Sequence, residues 1–260
     1  MKKKDIINSI EELHKNQKLG AELDFATSEA YNLLKTNIGF SLPKKEKGGQ
    51  IIGISSASPQ EGKSYTSINL CYSLAVDGNK VLLLDSDLRR PSIGKSLKHS
   101  ETPGLSNMLA GQVGVEAIVS NMLHENLSVL FSGDVPPNPS KLIRSDEMAN
   151  LLEMLAQDYD YIIVDLPPVN SVSDAIGISK MLDGIIMVVK HAFTRKKDLS
   201  EAVRQLRFVN ANILGIIYNG YTTGSSYYKS KKYYKYYRKS NYYYTSSNGY
   251  ENEDIENSEK

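Results

Sequence analysis

The chain has 260 residues, 40% of them hydrophobic, which allows one large α/β domain or two small ones around a sizeable core. Its formal net charge of +1 excludes a global field that would draw it to nucleic acid or anionic lipid. The one cysteine, Cys71, excludes an internal disulfide and suits a reducing compartment.

The start, "MKKKDIINSIEELHKN", is basic but lacks the apolar stretch of a signal peptide. No apolar run approaches the ~18 residues that cross a bilayer, so membrane association is expected only through a partner. Residues 1–45 are polar and helical in character, and "TSEAYNLLKTNIGF" predicts a helix capped by Thr27 or Ser28. Its buried stripe is expected at Ala30, Leu33, Leu34 and Ile38. "LPKKEKGG" reads as a linker. From Ile51 the pattern changes to short apolar runs: "IIGIS", "KVLLLD", "LSVLFSG", "YIIVDLPP", "GIIMVVK" and "NILGIIYNG". Between them lie helical stretches: "YTSINLCYSLAVDG" with Gly78 as C-cap, "SKLIRSDEMANLLEMLAQ", "SDAIGISKML" and "RKKDLSEAVRQLRFV". This alternation predicts an α/β fold, a mostly parallel sheet with helices on both faces. The domain is expected over residues 46–220 and a flexible tail over 221–260, where apolar periodicity ends.

Three sites of interest fall at strand ends. Residues 57–64 read "ASPQEGKS" between a strand and a helix, the context a P-loop requires. The candidate nucleotide-binding residues are Ser58, Pro59, Gln60, Glu61, Gly62, Lys63, Ser64 and Tyr65. Gly62 lets the backbone approach a phosphate, and the helix N-terminus adds favourable partial charge. Lys63 can reach the terminal phosphates of ATP, and Ser64 can offer its hydroxyl to Mg²⁺. In "VLLLDSDLRRP", Asp85 and Asp87 lie one residue apart at a strand end, where open α/β sheets place ligands. Two such carboxylates call for a cation. Asp165 in "YIIVDLPP" is Walker-B-like. Asp85 or Asp87 is placed to deprotonate an incoming hydroxyl, with Asp85 preferred; Ser64, Asp87 and Asp165 are the candidate metal residues. His14, His99, His124 and His191 show no ligand spacing. Asn219, ending the last strand, is a candidate base contact.

The tail holds "YYKSKKYYKYYRKSNYYY" over residues 227–244. Such a segment could stack bases of a single-stranded nucleic acid, or offer hydroxyls to a phosphoryl donor. The candidate acceptors are Tyr227, Tyr228, Tyr233, Tyr234, Tyr236, Tyr237, Tyr242, Tyr243 and Tyr244. The acidic end, residues 251–259, and the near-neutral net charge weigh against nucleic acid.

"SASPQEGKS", "VLLLDSDLRRP", "FSGDVPPNPSKLIRS", "YIIVDLPPV" and the clustered tyrosines together resemble the bacterial tyrosine kinases of capsule and exopolysaccharide synthesis, the BY-kinases. The resemblance covers roughly residues 25–244 and is closest to the free kinase of Gram-positive systems. It implies a P-loop fold related to partitioning ATPases, ATP and Mg²⁺ as cofactors, and phosphorylation of tail tyrosines on a neighbouring subunit. It also implies a membrane adaptor of the polysaccharide chain-length type, a cognate phosphotyrosine phosphatase and a homo-oligomer, in some cases a ring. The kinase would then be cytoplasmic and recruited to the inner face of the membrane. The alternative, a partitioning-type ATPase switch, is disfavoured by Ser58, because partitioning ATPases carry a lysine at that position. The family's interface helix has a Glu and two Arg spaced by three; here these fall on Glu29, Asn32 and Lys35, expected near one helix face.

Overall fold

The computed structural model describes residues 18–43 and 45–220. The acceptor tyrosines and the remainder of the tail, 221–260, lie outside the described residues. Helix α1 spans Phe25–Ser41, and six strands follow: β1 Gln50–Ser56, β2 Val81–Asp85, β3 Leu127–Leu130, β4 Tyr161–Asp165, β5 Gly184–Lys190 and β6 Ile213–Asn219. They form one sheet in the order β3-β2-β4-β1-β5-β6, parallel throughout. A parallel sheet needs a crossover between every pair of strands, and helices supply them. These are α2 Lys63–Val76, α3 Ile93–Leu97, α4 Leu105–Leu109, α5 Pro139–Ile143, α6 Asp146–Leu155, α7 Asp174–Ile178 and α8 Lys196–Phe208.

The strands are apolar throughout because both faces are covered. In β2, Val81 and Leu83 face one layer while Leu82 and Leu84 face the other. Tyr31 and Ile38 of α1, and Ile68, Cys71 and Leu74 of α2, fill the first layer. Leu105, Met148, Leu152, Ile178 and Leu206, from α4 and α6–α8, fill the second.

Four local expectations change. Helix α1 is capped by Asp24, not Thr27 or Ser28: its carboxylate accepts the Thr27 amide at 3.0 Å and the Thr27 hydroxyl at 2.9 Å. The inward stripe is Tyr31, Leu34, Ile38 and Leu42, so Ala30 is exposed and Leu33 is 63% exposed. Lys35 leaves the outward face, since its ammonium binds Asp77 at 2.6 Å and the Ser73 carbonyl at 2.9 Å on α2. Glu29 and Asn32 stay paired with each other at 2.9 Å. The stretch "SKLIRSDEMANLLEMLAQ" breaks into α5 and α6, because the Ser145 hydroxyl accepts the Met148 amide at 3.3 Å and starts a new helix. Gly78 does end α2, with φ of 86°. Among the described residues no helix is long and apolar enough to cross a membrane.

Candidate active site

Strand β1 delivers the chain into the 57–62 loop at the centre of the sheet, between β4 and β5. This is the point where an open α/β sheet forms a crevice at its carboxyl ends. Gly62 turns the chain into α2 with φ of 94°, and a Cβ there would lie 2.0 Å from the Asn219 amide nitrogen. Only glycine fits. Lys63 and Ser64 are therefore the first residues of α2, where free amides and the helix dipole favour an anion.

The carboxylates come from neighbouring strands. β2 and β4 pair in register with Asp85 opposite Asp165, so two carboxylates share one rim. The Lys63 ammonium sits 3.3 Å from Asp87 and 3.3 Å from Asp165. The Ser64 hydroxyl donates to Asp165 at 2.5 Å, and the Ser67 hydroxyl to its other oxygen at 3.1 Å. Asp87, only 5% exposed, is not a solvated surface acid. Asp85 accepts the amides of Asp87 at 3.1 Å and Ile93 at 3.4 Å, which folds residues 86–92 back over the site.

Three buried carboxylates thus face one ammonium. Burial pushes Asp85 well above the usual carboxylate value, and Asp165 adds to the push against the opposing pull of Lys63. Burial also raises Asp165, which Lys63 and the Ser64 hydroxyl partly offset. Burial works to lower Lys63, but Asp165, Asp87 and Asp85 outweigh it and hold the ammonium above its ordinary value. This excess negative charge suits a divalent cation. Among the described residues no three His, Cys, Asp or Glu converge as a ready-made metal cage. Mg²⁺ does not need one, because it takes one or two carboxylates and completes its shell with phosphate oxygens and water. Ser64, Asp87 and Asp165 fit that demand.

The structure brings Lys63, Ser64, Asp85, Asp87 and Asp165 together. Ser58, Pro59, Gln60, Glu61 and Gly62 form the loop above them. The Tyr65 side chain instead lies toward Asn69 and Asp24 near the start of α1, where burial raises its phenol. Two features had no local signal. Glu61, 1% exposed, accepts the Thr194 hydroxyl at 2.6 Å, and its carbonyl accepts the Asn219 amide at 3.0 Å. Arg89 donates to Asp174 at 3.0 Å and to the Ser140 hydroxyl at 2.8 Å, joining the loop after β2 to the starts of α5 and α7. Partners this distant in sequence become visible only when strand order is known.

A strand–loop–helix whose lysine faces carboxylates on two adjacent strand ends defines the P-loop class of nucleotide-binding folds. The AAA domain family matches residues 49–214, well over half of the chain. The chain is 36% identical over 193 residues to the tyrosine-protein kinase YwqD of Bacillus subtilis, covering 74% of this chain and 81% of that one. It is 33% identical over 200 residues to the tyrosine-protein kinase ptk of Acinetobacter johnsonii, matching 77% of this chain but only 27% of that longer protein. The kinase domain of the Escherichia coli tyrosine kinase ETK superposes with a TM-score of 0.69 at 32% identity, covering 76% of this chain and 78% of that domain. The chain belongs to the bacterial tyrosine-protein kinases.

Proposed function

We propose that this kinase transfers the γ-phosphoryl group of ATP to the tyrosines of segment 227–244 on a neighbouring copy. We further propose that cycling of this tail phosphorylation, with a membrane adaptor and a phosphatase, regulates capsular or exopolysaccharide polymerisation and export. The observation that supports the reading best is Lys63, held 3.3 Å from both Asp87 and Asp165 at the start of α2. In this reading residues 46–220 are the kinase domain, 221–260 the substrate tail, and the helical segment within 1–45 the oligomerisation element.

The tyrosine oxygen forms a bond to the γ-phosphorus, the bond from that phosphorus to the β–γ bridging oxygen breaks, and ADP leaves. The backbone amides from residue 60 to 65 cradle the phosphates, and Lys63 offsets charge developing on the transferred group. Mg²⁺, when bound, neutralises phosphate charge, with Ser64, Asp87 and Asp165 holding it and its waters. Asp85 takes the tyrosine proton: its raised pKa makes it a better acceptor than an ordinary carboxylate. Asp85 is fully buried, so residues 86–92 must admit the hydroxyl.

The test is the purified full chain with ATP and Mg²⁺, with and without an adaptor's cytoplasmic segment, read by mass spectrometry. Phosphate on tyrosines of 227–244, absent with Lys63→Met, is the expected result. Labelling confined to serine, or undiminished by Lys63→Met, overturns the reading. For the trans arrangement, a Lys63→Met chain is mixed with an active chain lacking its tail. Label should appear on the former's tail.

A further inference from the structure

Glu61 is a buried carboxylate inside a loop built to hold anions. A negative charge there is desolvated and repels phosphate, so it needs a reason. Its surroundings supply one. One carboxylate oxygen accepts the Ser58 amide at 3.1 Å, closing the loop across three residues. The other accepts the Thr194 hydroxyl at 2.6 Å. The Thr194 oxygen in turn accepts the Lys190 amide at 2.9 Å, at the end of β5. The Lys190 ammonium reaches the Gln60 carbonyl at 3.4 Å, and Asn219, the last residue of β6, donates to the Glu61 carbonyl at 3.0 Å. The loop is therefore gripped from the ends of β5 and β6, on the side of the sheet away from the carboxylates on β2 and β4. Both Glu61 oxygens thus serve contacts within the fold, one to the loop and one to Thr194, and the side chain is only 1% exposed.

We infer that Glu61 is a positioning residue for ATP: through Thr194 it fixes the phosphate-binding loop to the end of β5, so that the loop amides are aimed before nucleotide arrives. Such pre-organisation saves the ordering that a loose loop would undergo on binding. The inference rests on the reading that ATP binds at this loop. It goes further in naming Thr194, outside any nucleotide motif, as a determinant of nucleotide affinity.

The test compares wild type, Glu61→Ala, Glu61→Gln, Thr194→Val, Thr194→Ser and the double variant Glu61→Ala/Thr194→Val, all as the full chain. The readouts are ADP binding by calorimetry, KM and kcat for ATP, and the unfolding midpoint without nucleotide. Losing a hydrogen bond to a charged acceptor should weaken ADP binding roughly tenfold in Glu61→Ala and in Thr194→Val. KM for ATP rises accordingly, while kcat changes much less. The double variant is no worse than Glu61→Ala alone, because both changes break one link. Thr194→Ser, which keeps the hydroxyl, restores affinity. Glu61→Gln loses less than Glu61→Ala, since its amide oxygen can still accept the Ser58 amide and its nitrogen can donate to Thr194. If Glu61→Ala does not fold, the Thr194 pair decides. Additive losses, a defect in kcat alone, or Thr194→Val binding ADP like wild type would overturn the inference. ADP binding by wild type that Lys63→Met abolishes, but Thr194→Val leaves intact, sinks this inference alone. Wild type that binds no ADP sinks the ATP reading with it.

Discussion

Replacing Lys63 with Met removes the one ammonium from a site with three buried carboxylates while keeping much of the side-chain volume. Asp165 has a fully buried side chain, that of Asp87 is 7% exposed and that of Lys63 is 12% exposed, so water cannot take over the lost role. Breaking a buried ion pair from one side costs about 3–5 kcal/mol. The lower end applies here, because the acids can escape by binding a proton. The cost should therefore depend on pH in a defined direction. Asp85 and Asp165 are acids held above their ordinary 3.8 in the fold, so they bind protons more tightly folded than unfolded. Stability from that source is complete below 3.8 and is lost as pH rises through the folded values. Removing Lys63 raises those folded values further and widens the window. The expected midpoint drop is about 6–12 °C at pH 8, by the usual scaling for a domain of this size, shrinking toward pH 5. Thermal unfolding of both chains across pH 5 to 9, without nucleotide, measures it. Equal midpoints at all pH values, or a deficit that grows toward acid, would refute the reasoning.

Asp85→Asn should stabilise the chain at pH 8 by about 1–3 kcal/mol, because a buried charge disappears, and reduce tyrosine phosphorylation by at least about 100-fold. A variant that keeps its activity while Asp87→Asn loses it would transfer the proton-acceptor role to Asp87. Arg89→Ala leaves Asp174, whose side chain is 2% exposed, with only Ser140 opposite it. The expected cost is about 3 kcal/mol, recovered in part by adding Asp174→Asn, with denaturant unfolding as the measurement. Leu33→Asp with Phe40→Asp changes side chains that are 63% and 87% exposed, so folding should stay within about 0.5 kcal/mol per site. If α1 is the oligomerisation element, the same pair should reduce the sedimenting mass; an unchanged mass argues that assembly uses another surface.

The strands and the acidic rim were legible because their signals are local. A run such as "VLLLD" has no polar face to expose, so it can only be an inner strand, and its terminal Asp must then emerge at the carboxyl rim. The loop with Gly62 and Lys63 was legible for the same reason, since strand, turn and helix start are contiguous. Three features depended on competition between near neighbours. Asp24 caps α1 ahead of Thr27 because it can accept both the Thr27 amide and the Thr27 hydroxyl; Ile38 stays in the buried stripe as expected, while Tyr31 joins it and Ala30 and Leu33 leave it. Ser145 breaks a continuous helical pattern by capping from within it. Lys35 reads as a surface cation on spacing, yet Asp77 and a free carbonyl at the end of α2 draw it inward. Glu61 with Thr194, and Arg89 with Asp174, were not legible, because 133 and 85 residues separate the partners.

The strand order gives the site a division of labour. Strands β2 and β4, on one side of β1, end in Asp85 and Asp165, and Lys63 leans toward them. Strands β5 and β6, on the other side, end in Lys190 and Asn219 and carry no acid at their last positions. Their contacts go to the loop itself, through Gln60 and Glu61. Charge for chemistry is thus gathered on one flank and mechanical support on the other. A substitution on the first flank should act on the reaction and its pH dependence, and one on the second should act on nucleotide affinity.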